Sequence, residues 1–156
     1  MAIAISLQDY LERNNVPYEV IPHRRETTMR AAAHSAGLPE DCVVKAVLLE
    51  DEDGYVLAAV PASCHVQLGE ISKMTRRRVG LATEREIAQL FSDCEVGAVP
   101  PVGAAYGVET LVDESLDEQH DLYFEAGDHC SLVHVKGEDF ARMLRDARYG
   151  HIGAED

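Results

Sequence analysis

The sequence predicts a mixed α/β (α+β) fold in one domain, and three observations carry that prediction. Residues 42–49 and 55–60 are nearly continuous apolar runs on either side of Asp51-Glu52-Asp53-Gly54, the pattern of a β-hairpin with a polar turn. Strands without polar alternation are buried on both faces, so their sheet is either covered by helices or curled into a barrel. Helix-start signals recur around them: Thr27 or Thr28 ahead of Met29-Arg30-Ala31-Ala32-Ala33, and Thr83-Glu84-Arg85-Glu86 with the spacing of a capping box. Strands and helices are mixed irregularly, which is unlike a repeated βαβ design.

Taken in order, Ser6 is placed to cap a first helix in which Leu7, Tyr10 and Leu11 share a face, ending at Asn14-Asn15 before Pro17. Residues 18–21 read as a strand. The second helix runs to Ala36 and stops at Gly37 and Pro39. After the hairpin come a helix over 68–74, a strand over 79–82, and the capping-box helix with Ile87, Leu90 and Phe91 inward. From 96 to 107 the chain changes character, with Gly97, Pro100, Pro101, Gly103 and Gly107 shaping a loop. Strands over 110–112, 122–125 and 132–135 follow, the last two joined through Gly127 and Asp128. An amphipathic helix over 138–147, with Phe140, Met143 and Leu144 inward, completes six or seven strands and five helices.

Composition narrows the function. The 156 residues, 46% hydrophobic and 27% charged, suit one compact globular domain over 1–156. No stretch approaches the roughly 20 apolar residues of a membrane span, and Met1-Ala2-Ile3-Ala4 lacks a basic n-region, so the expected address is the cytoplasm. Cys42, Cys64, Cys94 and Cys130 form no C-x-x-C pair and read as reduced thiols. A net charge of −14 opposes general nucleic-acid binding, so any RNA contact must be local. Lys73-Met74-Thr75-Arg76-Arg77-Arg78, with Arg24, Arg25 and Arg30, is the candidate basic surface; the alternative is a solvated face. The seven histidines show no H-x-x-x-H or H-E-x-x-H spacing, so no metal is expected, with convergence of Cys64-His65 and His129-Cys130 the remaining route to one. No G-x-S-x-G elbow is present, and covalent catalysis is not indicated.

Three features look chemical. Strand alternation puts Lys45 on the same face as Val43, Val47 and Leu49, where an ammonium needs an anion or a path to water. It is either a lysine that snorkels to solvent or a cation aimed into a cleft toward a phosphate, a hydroxyl or a developing oxyanion. Gly97-Ala98-Val99-Pro100-Pro101 is stiffened by its prolines and freed for close approach by its glycine, which suits carbonyl or phosphate recognition as well as a plain crossover. His129, in a turn, is either an exposed surface histidine or a hydrogen-bonding group for a ligand in the same cleft.

Three segments together, Thr28 through Lys45 ending in Val43-Val44-Lys45-Ala46-Val47, the Gly97-Ala98-Val99-Pro100-Pro101 turn, and Phe124-Glu125-Ala126-Gly127-Asp128-His129, resemble the YbaK/ProX family of aminoacyl-tRNA editing domains over nearly the whole chain. The resemblance implies a curved, barrel-like mixed sheet flanked by helices and a metal-free, cofactor-free deacylase acting in trans on mischarged tRNA. It implies that Lys45 is the catalytic anchor. Gly97, Ala98, Val99, Pro100, Pro101, Ala126, Gly127 and His129 then shape the pocket for the 3′-terminal adenosine of the tRNA acceptor end and its aminoacyl group. Ile21 and Met29 fall where the family limits pocket size, and their middling bulk leans toward a small amino acid on proline tRNA, with prolyl-tRNA synthetase as a further partner. A non-catalytic binding or regulatory module of the same fold, and a small-molecule ester hydrolase, are the alternatives.

Overall fold

The structure, a computed structural model, describes residues 3–156. Along the chain come α1 (Ile5–Arg13), β1 (Glu19–Pro22), α2 (Met29–Ser35), β2 (Val43–Asp51), β3 (Gly54–Pro61), β4 (Cys64–Val66), α3 (Leu68–Thr75), β5 (Gly80–Leu81), α4 (Glu84–Leu90), β6 (Glu109–Asp113), β7 (Asp121–Glu125), β8 (Ser131–Lys136), α5 (Gly137–Met143), β9 (Arg148–Gly150) and β10 (Gly153–Glu155). Short 3-10 turns lie at Glu40–Cys42, Gly103–Tyr106 and Glu114–Glu118.

The predicted hairpin is the spine of the main sheet, whose order is β1-β8-β7-β2-β3-β6-β9. Mixed pairing is confirmed: β2–β3, β7–β8 and β1–β8 are antiparallel, whereas β2–β7, β3–β6 and β6–β9 are parallel. β4 and β10 form a separate two-stranded ribbon.

β2 changes partner along its length. Val43 and Val44 pair with Tyr123 and Phe124 of β7, and Leu49 and Glu50 pair with Leu81 and Gly80 of β5. Between them, among the described residues, Lys45-Ala46-Val47 has a strand neighbour only on the β3 side. This is a split in the sheet.

Both faces are covered, as the apolar runs require. On one, Val44, Ala59, Val112, Phe124 and Val133 pack beneath Leu7 and Leu11 of α1 and Phe140 and Met143 of α5. Farther along that face Leu48 and Leu57 meet Phe91 and Val99. On the other, Leu49, Val56, Ala58 and Val60 pack on Ile71 of α3, while Val43 meets Met29 and Ala33 of α2.

Two of the expected helix caps are present. Thr28 accepts from the Ala31 N–H, and Thr83 and Glu86 make the reciprocal capping box. Ser6 differs: Ala4 occupies the cap position, and the Ser6 N–H donates to Asp93 Oδ2 at 2.8 Å, so the first turn is satisfied from a distant loop. α5 ends at Met143, four residues before the expected Ala147, and the chain turns into β9 beside β6. β4, β9 and β10 were not foreseen; three residues each are too few to show a period of two.

Candidate active site

Three segments meet beyond the end of β7, and backbone hydrogen bonds hold them. The Glu95 N–H donates to Gly127 O at 2.8 Å, the Glu26 N–H to His129 O at 3.2 Å, and the His23 N–H to Cys130 O at 2.8 Å. Arg25 straps the junction from outside, donating to Glu95 at 2.6 Å and to Asp128 O at 3.4 Å.

His129 is the pin. It is buried, its φ of 61° is left-handed, and its Nε2 lies 2.7 Å from Val96 O. A carbonyl only accepts, so Nε2 carries the proton and points at the glycine loop. The reading of an exposed turn histidine is thereby corrected: the ring is structural cement for the next residue, Gly97. Gly97 has φ +88°, and a Cβ there would sit 3.2 Å from His129 Cε1. Gly127 is constrained the same way, with φ +113° and a Cβ position 3.1 Å from the Ala4 side chain. Ala126 is buried in the core beside it.

The Gly97–Pro101 turn is less open than its composition suggests. Of its five residues only Gly97 is exposed; Ala98, Val99, Pro100 and Pro101 are buried. Val99 packs on Leu48, Leu57 and Phe91, and the Ala98 N–H is used by Glu95 O at 3.0 Å. The expectation of several exposed amides thus narrows to the backbone at Gly97, with the other four residues acting as its support.

Lys45 lies on the face expected, in a row set by strand register. Ile21 pairs with Leu132 and Leu132 with Glu125. Two residues beyond the Val43–Tyr123 pair the same row reaches Lys45, which pairs with Val60. Met29 packs against Val43 and Leu132, and so belongs to the same face as Ile21. Lys45 is half-buried, and among the described residues no carboxylate lies within ion-pair distance of it. Its charge is felt by Asp156, whose carboxyl is held below the ordinary carboxylate range first by a hydrogen bond from His65, then by Lys45 and Arg30. The ammonium therefore keeps its hydrogen-bonding capacity for something else.

The profile of the aminoacyl-tRNA editing domain matches residues 23–143, which include Met29, Lys45, Gly97 to Pro101 and Ala126 to His129 but not Ile21. The chain belongs to that family. It is 26% identical over 106 residues, 67% of its length, to the proline–tRNA ligase of Thermotoga neapolitana, of which it spans only 18%. Two solved structures share its fold: a candidate trans-editing enzyme for prolyl tRNA synthetase (TM-score 0.83, 22% identity, 97% of this chain and 96% of that one) and the hypothetical protein APE2540 (0.85, 19%, 96% and 99%). A candidate signal transduction protein from Marinobacter aquaeolei VT8 contains the fold within a longer chain (0.79, 19%, 99% of this chain and 31% of that one).

Within this editing domain the basic surface is largely spoken for. Arg77 pairs with Asp51 and Asp53, Lys73 with Glu70, Arg24 with Glu26, Arg25 with Glu95 and Arg30 with Glu40. Only Arg76 and Arg78 of the basic run are exposed without a recorded ion pair among the described residues. No three His, Cys, Asp or Glu side chains among the described residues stand where they could hold a metal ion, and no described helix is long and apolar enough to cross a membrane. Surface cavities of about 560 and 450 Å³ are lined respectively by residues such as His120 and Lys136 and by Ser63 and Gly153, and neither lining includes Lys45 or Gly97.

One residue of the site escaped the sequence reading. Glu125 is 2% exposed, and burial, reinforced by the charge of Asp128, pushes its carboxyl up to about 8. The signal was available: alternation along 121–125 puts Leu122 and Phe124 on the core face, so a glutamate after Phe124 faces the Lys45 side.

Proposed function

We propose that the chain, acting as one editing domain, hydrolyses the ester of mischarged aminoacyl-tRNA in trans, releasing a small amino acid such as alanine, serine or cysteine from proline tRNA in the cytoplasm. What supports the reading most is that the stretch matching the editing-domain profile carries both Lys45, at the split in β2 on the face shared with Ile21 and Met29, and the exposed Gly97, on the turn that His129 holds. Family membership supports editing, and the proline–tRNA ligase relative supports the choice of tRNA and prolyl-tRNA synthetase as a partner.

In this mechanism the Lys45 ammonium anchors a phosphate or hydroxyl of the 3′-terminal adenosine. The Gly97 N–H polarises the ester carbonyl and stabilises the oxyanion of the tetrahedral intermediate. Water attacks the carbonyl carbon, aided by the neighbouring ribose 2′-hydroxyl, and the ribose oxygen leaves with a proton. An aminoacyl ester is activated, so positioning and electrostatics suffice without a side-chain base, a metal or a cofactor. Ile21 and Met29 limit the amino acid by size.

The net charge of −14 and the paired arginines favour inspection of the acceptor end over the tRNA body. The test is a deacylation panel with one proline tRNA carrying alanine, serine, cysteine or proline. Release of a small residue with proline spared is the expected result; release of none sinks the enzyme reading.

A further inference from the structure

Two buried polar atoms beside the candidate site lack a hydrogen-bond partner among the described residues: Nε2 of His23 and Oε1 of Glu125. The groups face each other, with Nε2 3.9 Å from the other carboxyl oxygen, and their side chains are 0% and 2% exposed. His23 Nδ1 lies 2.6 Å from Arg24 O, and a carbonyl can only accept. Nδ1 therefore carries a proton, and in the neutral tautomer this sets, Nε2 presents a lone pair. An ionised Glu125 would present lone pairs as well. Two acceptors confronting each other out of water need a donor between them. In the free protein burial, ahead of repulsion from Asp128 and Glu95, keeps Glu125 in its acid form at neutral pH, and at 3.9 Å its proton makes no hydrogen bond to Nε2, so the need for a bridging donor stays unmet.

Position says what could supply a donor. Glu125 stands between Leu132, with Ile21 beyond it, on one side and the Lys45 position on the other. On the antiparallel β7–β8 and β8–β1 pairs, opposed side chains have Cβ atoms about 5 Å apart. A substrate whose carbonyl lies at Gly97 and whose side chain reaches toward Leu132, Ile21 and Met29 carries its third α-carbon substituent toward Glu125. Past Val44 no described strand lies on the β7 side of β2 until β5, so none separates the pair, which is closed to solvent in the free protein, from the Lys45 segment.

We propose that the Glu125–His23 pair receives the α-amino group of the aminoacyl ester, so that the site selects α-amino esters over esters of the same size without an amine. This rests on the editing function proposed above. A neutral amine takes the proton of Glu125 and becomes an ammonium; the resulting carboxylate accepts one N–H, and His23 Nε2 accepts a second. No bond to carbon is made or broken. Glu125 is thus a binding residue for the reacting amino acid, and His23 positions it.

The test compares alanyl-tRNA with lactyl-tRNA, in which a hydroxyl replaces the amine, each rate being divided by that ester's spontaneous hydrolysis under the same conditions. The wild-type protein is expected to favour the amino ester by about 10- to 100-fold, the worth of a buried charged hydrogen bond. Glu125→Gln, which keeps the shape, should collapse that preference by slowing alanyl-tRNA while leaving lactyl-tRNA nearly unchanged. His23→Phe, which keeps a ring and removes the lone pair, is the second variant and should act in the same direction. Equal wild-type rates on the two esters, or a preference that survives in both variants, would overturn the proposal and leave editing standing. Hydrolysis of neither ester by the wild type would instead overturn the editing reading beneath it.

Discussion

The two faces of the sheet around β2 and β7 are built to different rules. One carries Val44, Phe124, Ala59 and Val133, all buried beneath α1 and α5, with no polar atom among their side chains. The other, at the same strand positions shifted by one residue, carries Lys45 and Glu125 among Ile21, Leu132 and Met29. A shift of one residue exchanges faces in a strand, so stability and chemistry are written in alternate letters of the same segments.

That contrast breaks first if the apolar face is damaged. Phe124→Ala removes a fully buried ring that contacts Phe140 across 6.2 Å between centroids, and should cost about 3–5 kcal/mol, read as a large drop in the urea midpoint. Activity would fall only as the folded fraction falls. On the junction beside the mixed face, Gly97→Ala meets both a left-handed φ and the His129 ring. It should lose about 1–3 kcal/mol of stability and, by moving the Gly97 amide, a disproportionate share of turnover per folded molecule. Stability alone changing, with turnover per folded molecule intact, would make the turn a mere crossover.

Glu125 sharpens the comparison through pH. Its carboxyl is raised to about 8 in the folded protein, so between about pH 4.5 and 8 the folded state holds a proton that the unfolded state has released. Stability from this group is therefore full below about pH 4.5 and is lost as pH rises toward 8, with a slope of at most about 1.4 kcal/mol per pH unit. The carboxyls of Asp51 and Asp93, held low, have the opposite sign, so the readout is the difference between wild type and Glu125→Gln across that window. A difference independent of pH would contradict the buried acid. The smallest effect is expected at the basic run: Arg76→Ala with Arg78→Ala should change deacylation by less than about threefold at 0.15 M salt, measured against the same rate at low salt.

Much of the fold was legible because its signals were local. The Thr28 cap, the Thr83–Glu86 capping box and the hairpin around Gly54 each need only a few neighbouring residues, and each is present. What was illegible is non-local. Ser6 gives up its capping role to Asp93, 87 residues away, and β9 exists only because β6 offers it an edge. The same division runs through the site. Lys45 was visible as a charge in an apolar run. The burial of His129 and of Pro100 and Pro101 was not, since composition marks a stiff turn without saying which of its atoms face water. Glu125 lay inside a recognised segment and was passed over because its partner, His23, is 102 positions away in sequence and joined to it only through β1 and β8.

The central claim is that Lys45 serves the substrate and not the fold, and the most direct test is Lys45→Ala assayed for folding and for single-turnover deacylation of alanyl-tRNA specific for proline. A half-buried lysine without an ion pair predicts stability within about 1 kcal/mol of wild type, together with a loss of deacylation of about 100-fold or more. A well-folded Lys45→Ala protein that still releases alanine at the wild-type rate would contradict it.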